Sequence, residues 1–156
     1  MVVINITGQI CAGKTSLARR LGERFGLPVF SIDDYRLNVG DESAAWCRLY
    51  DDAGRCADLI LDSSGLNSRL RPLLGGDVVT VKLVCGMGTA LRRLRVKGEY
   101  AFSFPYAEFR SHEDFVRFWS ENQHRIVEDL RVDSGRLAPD EVFERVVGFL
   151  EPKLRV

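Results

Sequence analysis

The sequence predicts an α/β fold, a parallel sheet of about five strands flanked by helices in three layers. Two observations lead there. Apolar runs of strand length alternate with helix-patterned segments along the 156 residues, and such alternation builds a parallel sheet covered by helices. The first run leads at once into a glycine-containing loop and an amphipathic segment. In folds of this kind the ligand lies beyond the carboxyl ends of the strands. A chain of this length is most simply one domain, 1–156,.

The elements follow in order. Val2 to Ile6 is a short apolar run suited to a buried strand,. "GQICAGKT", Gly8 to Thr15, matches G-x-x-x-x-G-K-T, the phosphate-binding P-loop,. Leu17, Ala18, Leu21 and Phe25 then recur at helical spacing. Strand, glycine loop and helix are the context the motif needs, and they point to a P-loop nucleoside-triphosphatase fold,. The loop alone does not separate kinases from motors, switches and synthetases. Gly8 and Gly13 permit close backbone approach,. The loop amides of Gly8, Ala12, Gly13, Lys14, Thr15 and Ser16 are expected to cradle phosphates at a helix N-terminus,. Lys14 reaches the β- and γ-phosphates of a triphosphate such as ATP, and the Thr15 hydroxyl ligates Mg²⁺,.

"LPVFSI", 27–32, reads as a second strand and delivers "SIDDYR", 31–36, to its carboxyl end. Transfer of a phosphoryl group to an alcohol needs a carboxylate to accept the hydroxyl proton, and Asp33 and Asp34 are placed for it,. A helix over 42–55, a strand over 57–62, and a strand over 77–84 marked by β-branched residues come next,. A helix from about Thr89 to Val96 opens a segment, about 91–112, expected to form a lid and bind substrate. Its cations include Arg93 and Arg95, which can stabilise charge on the transferring phosphoryl group,. Phe102, Phe104 and Tyr106 with Arg110 or Lys97 suit either an unstacked base with its phosphates or a plain hydrophobic cover,. Helices over 111–130 and 138–151, the second ending before Pro152, enclose a short strand at 130–133,.

Composition narrows the function. Twenty-two basic and twenty-two acidic residues cancel, so any polyanion site must be a local patch. No apolar run reaches about 18 residues and no basic leader precedes the first strand, which gives the expectation of a cytoplasmic protein with no membrane or protein partner implied,. The four cysteines form no C-x-x-C pair and read as free thiols,. "DSSG", 62–65, matches the D-x-x-G of a GTPase switch, but the guanine-reading N-K-x-D motif is missing.

"GQICAGKTS" together with "SIDDYR" resembles the kinase domain of phage polynucleotide kinases, and more closely phage kinases that phosphorylate 5-hydroxymethyluracil within DNA. The P-loop, the S-I-D-D-Y-R segment, Ala45-Trp46 and the Ser63–Asn67 turn "SSGLN" carry the likeness, which spans roughly the first seventy residues. The resemblance implies the nucleotide-kinase type of the P-loop fold, ATP and Mg²⁺ as requirements and Asp33 as general base. It also implies Asp34, Arg36 and Asn67 at the substrate, with Phe104 and Tyr106 as further candidates, and DNA with a modified pyrimidine as acceptor. Asp62 precedes two serines here, so its role does not carry over securely. A polynucleotide 5′-hydroxyl kinase, a kinase of a nucleoside or other small hydroxyl compound, and a nucleotide-dependent switch stay open as alternatives.

Overall fold

The computed structural model describes residues 1–63, 76–97 and 109–154. Five strands, β1 (Val2–Gly8), β2 (Val29–Ser31), β3 (Leu59–Asp62), β4 (Asp77–Val84) and β5 (Leu130–Asp133), form one sheet in the order β2-β3-β1-β4-β5. Every pairing is parallel. β1 lies at the centre, with Ile6 opposite Asp62 on one side and Val81 on the other. A strand covered on both faces is apolar without strict alternation, and β1 is buried from Val3 onward.

The period of two still sorts side chains between the faces. Ile4 and Ile6 join Leu17 and Leu21 of α1 (Lys14–Phe25) and Val146 and Leu150 of α6 (Pro139–Leu154) in one core. Val3, Leu59 and Leu61 face the other way, onto Ile32 of α2 (Ile32–Val39) and Ala45, Trp46 and Leu49 of α3 (Glu42–Ala53). A third cluster joins α4 (Met87–Lys97) to α5 (His112–Asn122) through Ala90, Leu94, Phe115, Val116 and Trp119, and Cys11 of the glycine loop lies in it.

Most expected boundaries hold to within two residues, and the shifts at β2, α5 and α6 have physical causes. β2 is only three residues long because Ser31, still extended at φ −106° and ψ 125°, is the N-cap of α2. Asp33 and Asp34 therefore stand in the first turn of a helix, where negative charge suits the helix dipole,. α5 stops at Asn122 and a single 3-10 turn, Gln123–Arg125, follows. The carbonyls of Gln123 and Ile126 turn inward there to accept from Lys82 Nζ, at 2.8 and 3.3 Å. α6 runs through Pro152 to Leu154. A proline so near the end removes one backbone bond without interrupting the helix core. At 91–97 the expected lid segment is part of α4, with Leu94 buried; residues 98–108 lie outside the described residues.

Candidate active site

The loop between β1 and α1 is tied down at its start. Gln9 N–H donates to the Leu83 carbonyl of β4 at 2.9 Å. Gly8 has φ 128°, and a Cβ built on it would stand 1.9 Å from the Leu83 oxygen. Only glycine lets the two strands meet there. Cys11 takes φ 58°, the left-handed region, so the chain reverses before Gly13 caps α1.

That reversal folds the loop over Lys14. Its Nζ donates to the carbonyls of Gly8 and Gln9, at 3.3 and 3.0 Å. Burial pushes its pKa below the ordinary lysine value, and the carboxylates of Asp62 and Asp33 work against that shift. Beside it the Thr15 hydroxyl donates to Asp62 Oδ2 at 2.6 Å, and Ser31 Oγ donates to the same oxygen at 3.1 Å. Burial raises the Asp62 pKa, while the bond from Thr15 and the charge of Lys14 oppose the rise. The first turn of α1 and the ends of β2 and β3 thus converge on one carboxylate.

Thr15 and Asp62 are hard oxygen donors side by side at the helix N-terminus. That pair suits Mg²⁺, which keeps most of its waters and takes one or two protein ligands beside substrate phosphates. Among the described residues no cluster of three or more His, Cys, Asp or Glu is placed to hold a metal. A site of that denser kind would suit other ions.

α2 and α4 complete the walls. Arg36 donates through Nη1 to Asp33 Oδ1 at 2.9 Å. Arg93 donates to the Cys11 carbonyl at 3.1 Å and to the Ser134 carbonyl at 2.8 Å, so it bridges the glycine loop and the end of β5. A cavity of about 720 Å³ opens between these groups. Among the described residues, Lys14, Arg20, Arg36, Arg92, Arg93 and Lys97 line it against the carboxylates Asp33 and Asp62, six cations to two anions. In a chain with no net charge, this is the local patch that a polyphosphate requires.

The expected site residues divide clearly. Ala12, Gly13, Lys14, Thr15, Ser16, Asp33, Arg36 and Arg93 all line the cavity. Gly8 is not among the lining residues; its contribution is the approach to β4. Arg95 is not among them either and is paired with Glu113 at 2.5 Å on the surface. Asp34 is exposed and also absent from the lining. Asn67, Phe104 and Tyr106 lie outside the described residues.

The structure adds Asp62 and Arg20 to the lining, and it sets Lys97, one of the cations of the expected lid segment, in the same wall. An apolar run, Leu59 to Leu61, ending in an acid at a strand's carboxyl end was the readable sign of the first. Cys11 and Cys85, both near the loop, have thiol pKa values raised chiefly by burial.

No family model and no curated protein matches the sequence. Solved structures do match. Shikimate kinase from Acinetobacter baumannii in complex with shikimate is similar with a TM-score of 0.71 and 17% identity over 99% of this chain and 95% of that one. YorR protein from Bacillus subtilis, in complex with phosphorylated GDP, gives 0.68 and 16% over 97% and 96%. A sugar kinase from Janibacter gives 0.65 and 18% over 97% and 95%. The fold is the P-loop fold of the nucleotide-kinase type.

Proposed function

We propose that this chain is a P-loop kinase that transfers the γ-phosphoryl group of ATP to a hydroxyl group. The observation that carries the reading is the meeting of Lys14, the bonded pair Thr15–Asp62, and Asp33 in one cation-rich cavity. Phosphoryl transfer is mostly positioning and charge stabilisation, and each residue has a part in that. Lys14, already held by two backbone carbonyls, faces the β- and γ-phosphates. Thr15 and Asp62 would hold Mg²⁺, which neutralises charge on the phosphates when bound. Asp33 accepts the acceptor's hydroxyl proton as the oxygen bonds to phosphorus and the bond to the ADP leaving oxygen breaks. Arg93 and Lys97 offset the charge that spreads over the transferring group. The choice of ATP over another triphosphate rests on the sequence resemblance.

The acceptor favoured by the structural likenesses is a small hydroxyl compound. The similar folds include a shikimate kinase and a sugar kinase, and the cavity has the size of a small-molecule site,. A second reading, the 5-hydroxymethyl group of 5-hydroxymethyluracil in DNA, is favoured by a different observation. Four sequence stretches, Gly8–Ser16, Ser31–Arg36, Ala45-Trp46 and Ser63–Asn67, resemble kinases of that acceptor. Asn67, Phe104 and Tyr106 are its candidate contacts.

Radiolabelled ATP offered with a panel of acceptors separates the readings. The panel holds shikimate, simple sugars, free 5-hydroxymethyldeoxyuridine, DNA with and without the modified base, and unmodified DNA with a 5′-hydroxyl end. Label on a free compound supports the small-acceptor reading, and label only within modified DNA replaces it with the second. Label confined to strand ends makes the chain a polynucleotide kinase. Release of phosphate to water alone removes the kinase reading.

A further inference from the structure

The candidate base is the end of a chain of hydrogen bonds that reaches down into the core. Asp33 is half open to solvent, its side chain 58% exposed, yet Arg36 three residues on is buried. Arg36 donates through Nε to Glu42 Oε2 and through Nη2 to Glu42 Oε1, both at 2.8 Å, and through Nη1 to Asp33 Oδ1 at 2.9 Å. Glu42 Oε1 accepts a further bond from Trp46 Nε1 at 2.9 Å. Trp46 is 1% exposed and belongs to the core beneath α2 and α3.

The local sequence builds this corner. Gly40, at φ 71°, ends α2. Asp41 caps α3 by accepting from Ala44 N–H at 2.7 Å. Glu42 is thereby set in the first turn of α3, facing back across the corner to Arg36. None of Glu42, Trp46 or Asp41 is among the residues that line the cavity.

We propose that Glu42 is a positioning residue for Asp33. A two-pronged arginine–carboxylate pair fixes the plane of the guanidinium as well as its place. With Nε and Nη2 held by Glu42, the plane of the guanidinium is fixed, and Nη1 meets the Asp33 carboxylate from that plane. Trp46 in turn holds Glu42 to the core. An exposed i,i+3 pair of Arg and Asp would contribute little by itself; tied to Glu42 and Trp46 it becomes a rigid strut. The inference rests on the kinase reading, in which a displacement of about 1 Å at the reacting centre costs on the order of 10²-fold in rate.

The test uses Glu42→Gln, Trp46→Phe and the double variant of the full chain. Glu42→Gln keeps the shape and removes the charge. Trp46→Phe keeps an aromatic ring in the core and removes one donor, and it supplies a second variant if the first folds poorly. On the acceptor that the parent phosphorylates, kcat is expected to fall about 10- to 100-fold in Glu42→Gln and about 3-fold in Trp46→Phe, with KM for ATP within about 2-fold. The double variant should be no slower than Glu42→Gln alone, because both act through one chain of bonds. A kcat within about 2-fold of the parent, or losses that multiply, overturns the proposal.

A second readout is independent of turnover. Nitrogen-edited NMR of the Arg36 Nε–H should show slow exchange in the parent, intermediate exchange in Trp46→Phe and fast exchange in Glu42→Gln. An unchanged signal in Glu42→Gln refutes the positioning role. A parent that labels no acceptor refutes the kinase reading instead, and the NMR series then decides the strut alone.

Discussion

Two lysines of this molecule each donate to two backbone carbonyls, but they differ in burial and in how their carboxylate neighbours meet them. Lys82, on β4, is 1% exposed; it donates to two carbonyls and pairs with Glu128 at 3.3 Å. Lys14, at the start of α1, is only partly buried and also donates to two carbonyls, but its carboxylate neighbours Asp62 and Asp33 act on it through space. Asp62 is already engaged by two hydroxyls. The charge of Lys82 is offset by a bonded carboxylate, whereas the bonds that Lys14 makes are to neutral carbonyls. Burial lowers the pKa of Lys14, because desolvation disfavours the charged ammonium.

The contrast breaks most sharply at Lys14 itself. Lys14→Ala is expected to lower turnover at least ~10³-fold and to weaken ATP binding, measured by single-turnover labelling and calorimetric titration. Near-parental turnover would remove the distinction between the two lysines.

Asp33→Asn comes next. The amide retains the shape but cannot take the proton, so the rate should fall about 10²- to 10⁴-fold while ATP affinity persists. A comparable loss of ATP affinity would make Asp33 part of the nucleotide site. Asp34→Asn, at an exposed position outside the cavity, should cost much less.

Lys82→Met sharpens the comparison from the other side. It should cost about 2 kcal/mol of stability in a urea melt and leave kcat nearly unchanged, since two carbonyls lose their donor. Acid should show the same pair. Burial raises the Glu128 pKa, but bonds from Arg131 and Lys82 outweigh it and hold the pKa below its ordinary 4.5. A folded-state pKa below the unfolded one gives stability that is full above the ordinary value and is lost as pH falls through the folded value. The parent should therefore lose stability below about pH 4.5, and Lys82→Met should flatten that acid limb.

The smallest contrast lies on α4. Arg93, bonded to the loop carbonyl of Cys11, should cost about 10-fold in kcat when replaced by Ala. Arg95, paired on the surface with Glu113, should change kcat by less than about 2-fold. Equal losses at the two positions would return both to a general electrostatic role.

Much of the fold was readable because its signals are local. The glycine loop sits between an apolar strand and an amphipathic helix, and the β-branched run gave β4 its observed limits, Asp77–Val84. What was not readable depends on partners far along the chain. α5 ends early where Lys82, 41 residues away, takes the Gln123 carbonyl. Asp62 gains its place from Thr15, 47 residues away. Arg93 and Arg95 look alike in sequence, and only the helix face decides which one reaches the loop. Ser31 could be read equally as the last residue of a strand or the cap of a helix; it is both.

The strand order has a consequence for the chain as it is made. β2, β3 and β1 are neighbours in the sheet, and all lie within the first 62 residues. Once they have left the ribosome they can pair, but the far edge of β1 stays open until Val84 has followed. That is 84 − 62 = 22 residues later, or roughly 1 to 4 seconds at the usual pace of synthesis. The open edge is "VVINITG", without a single charge or proline to deter pairing with another chain,. Ribosome pausing between Asp62 and β4 would lengthen that exposure, so codon choice there bears on yield.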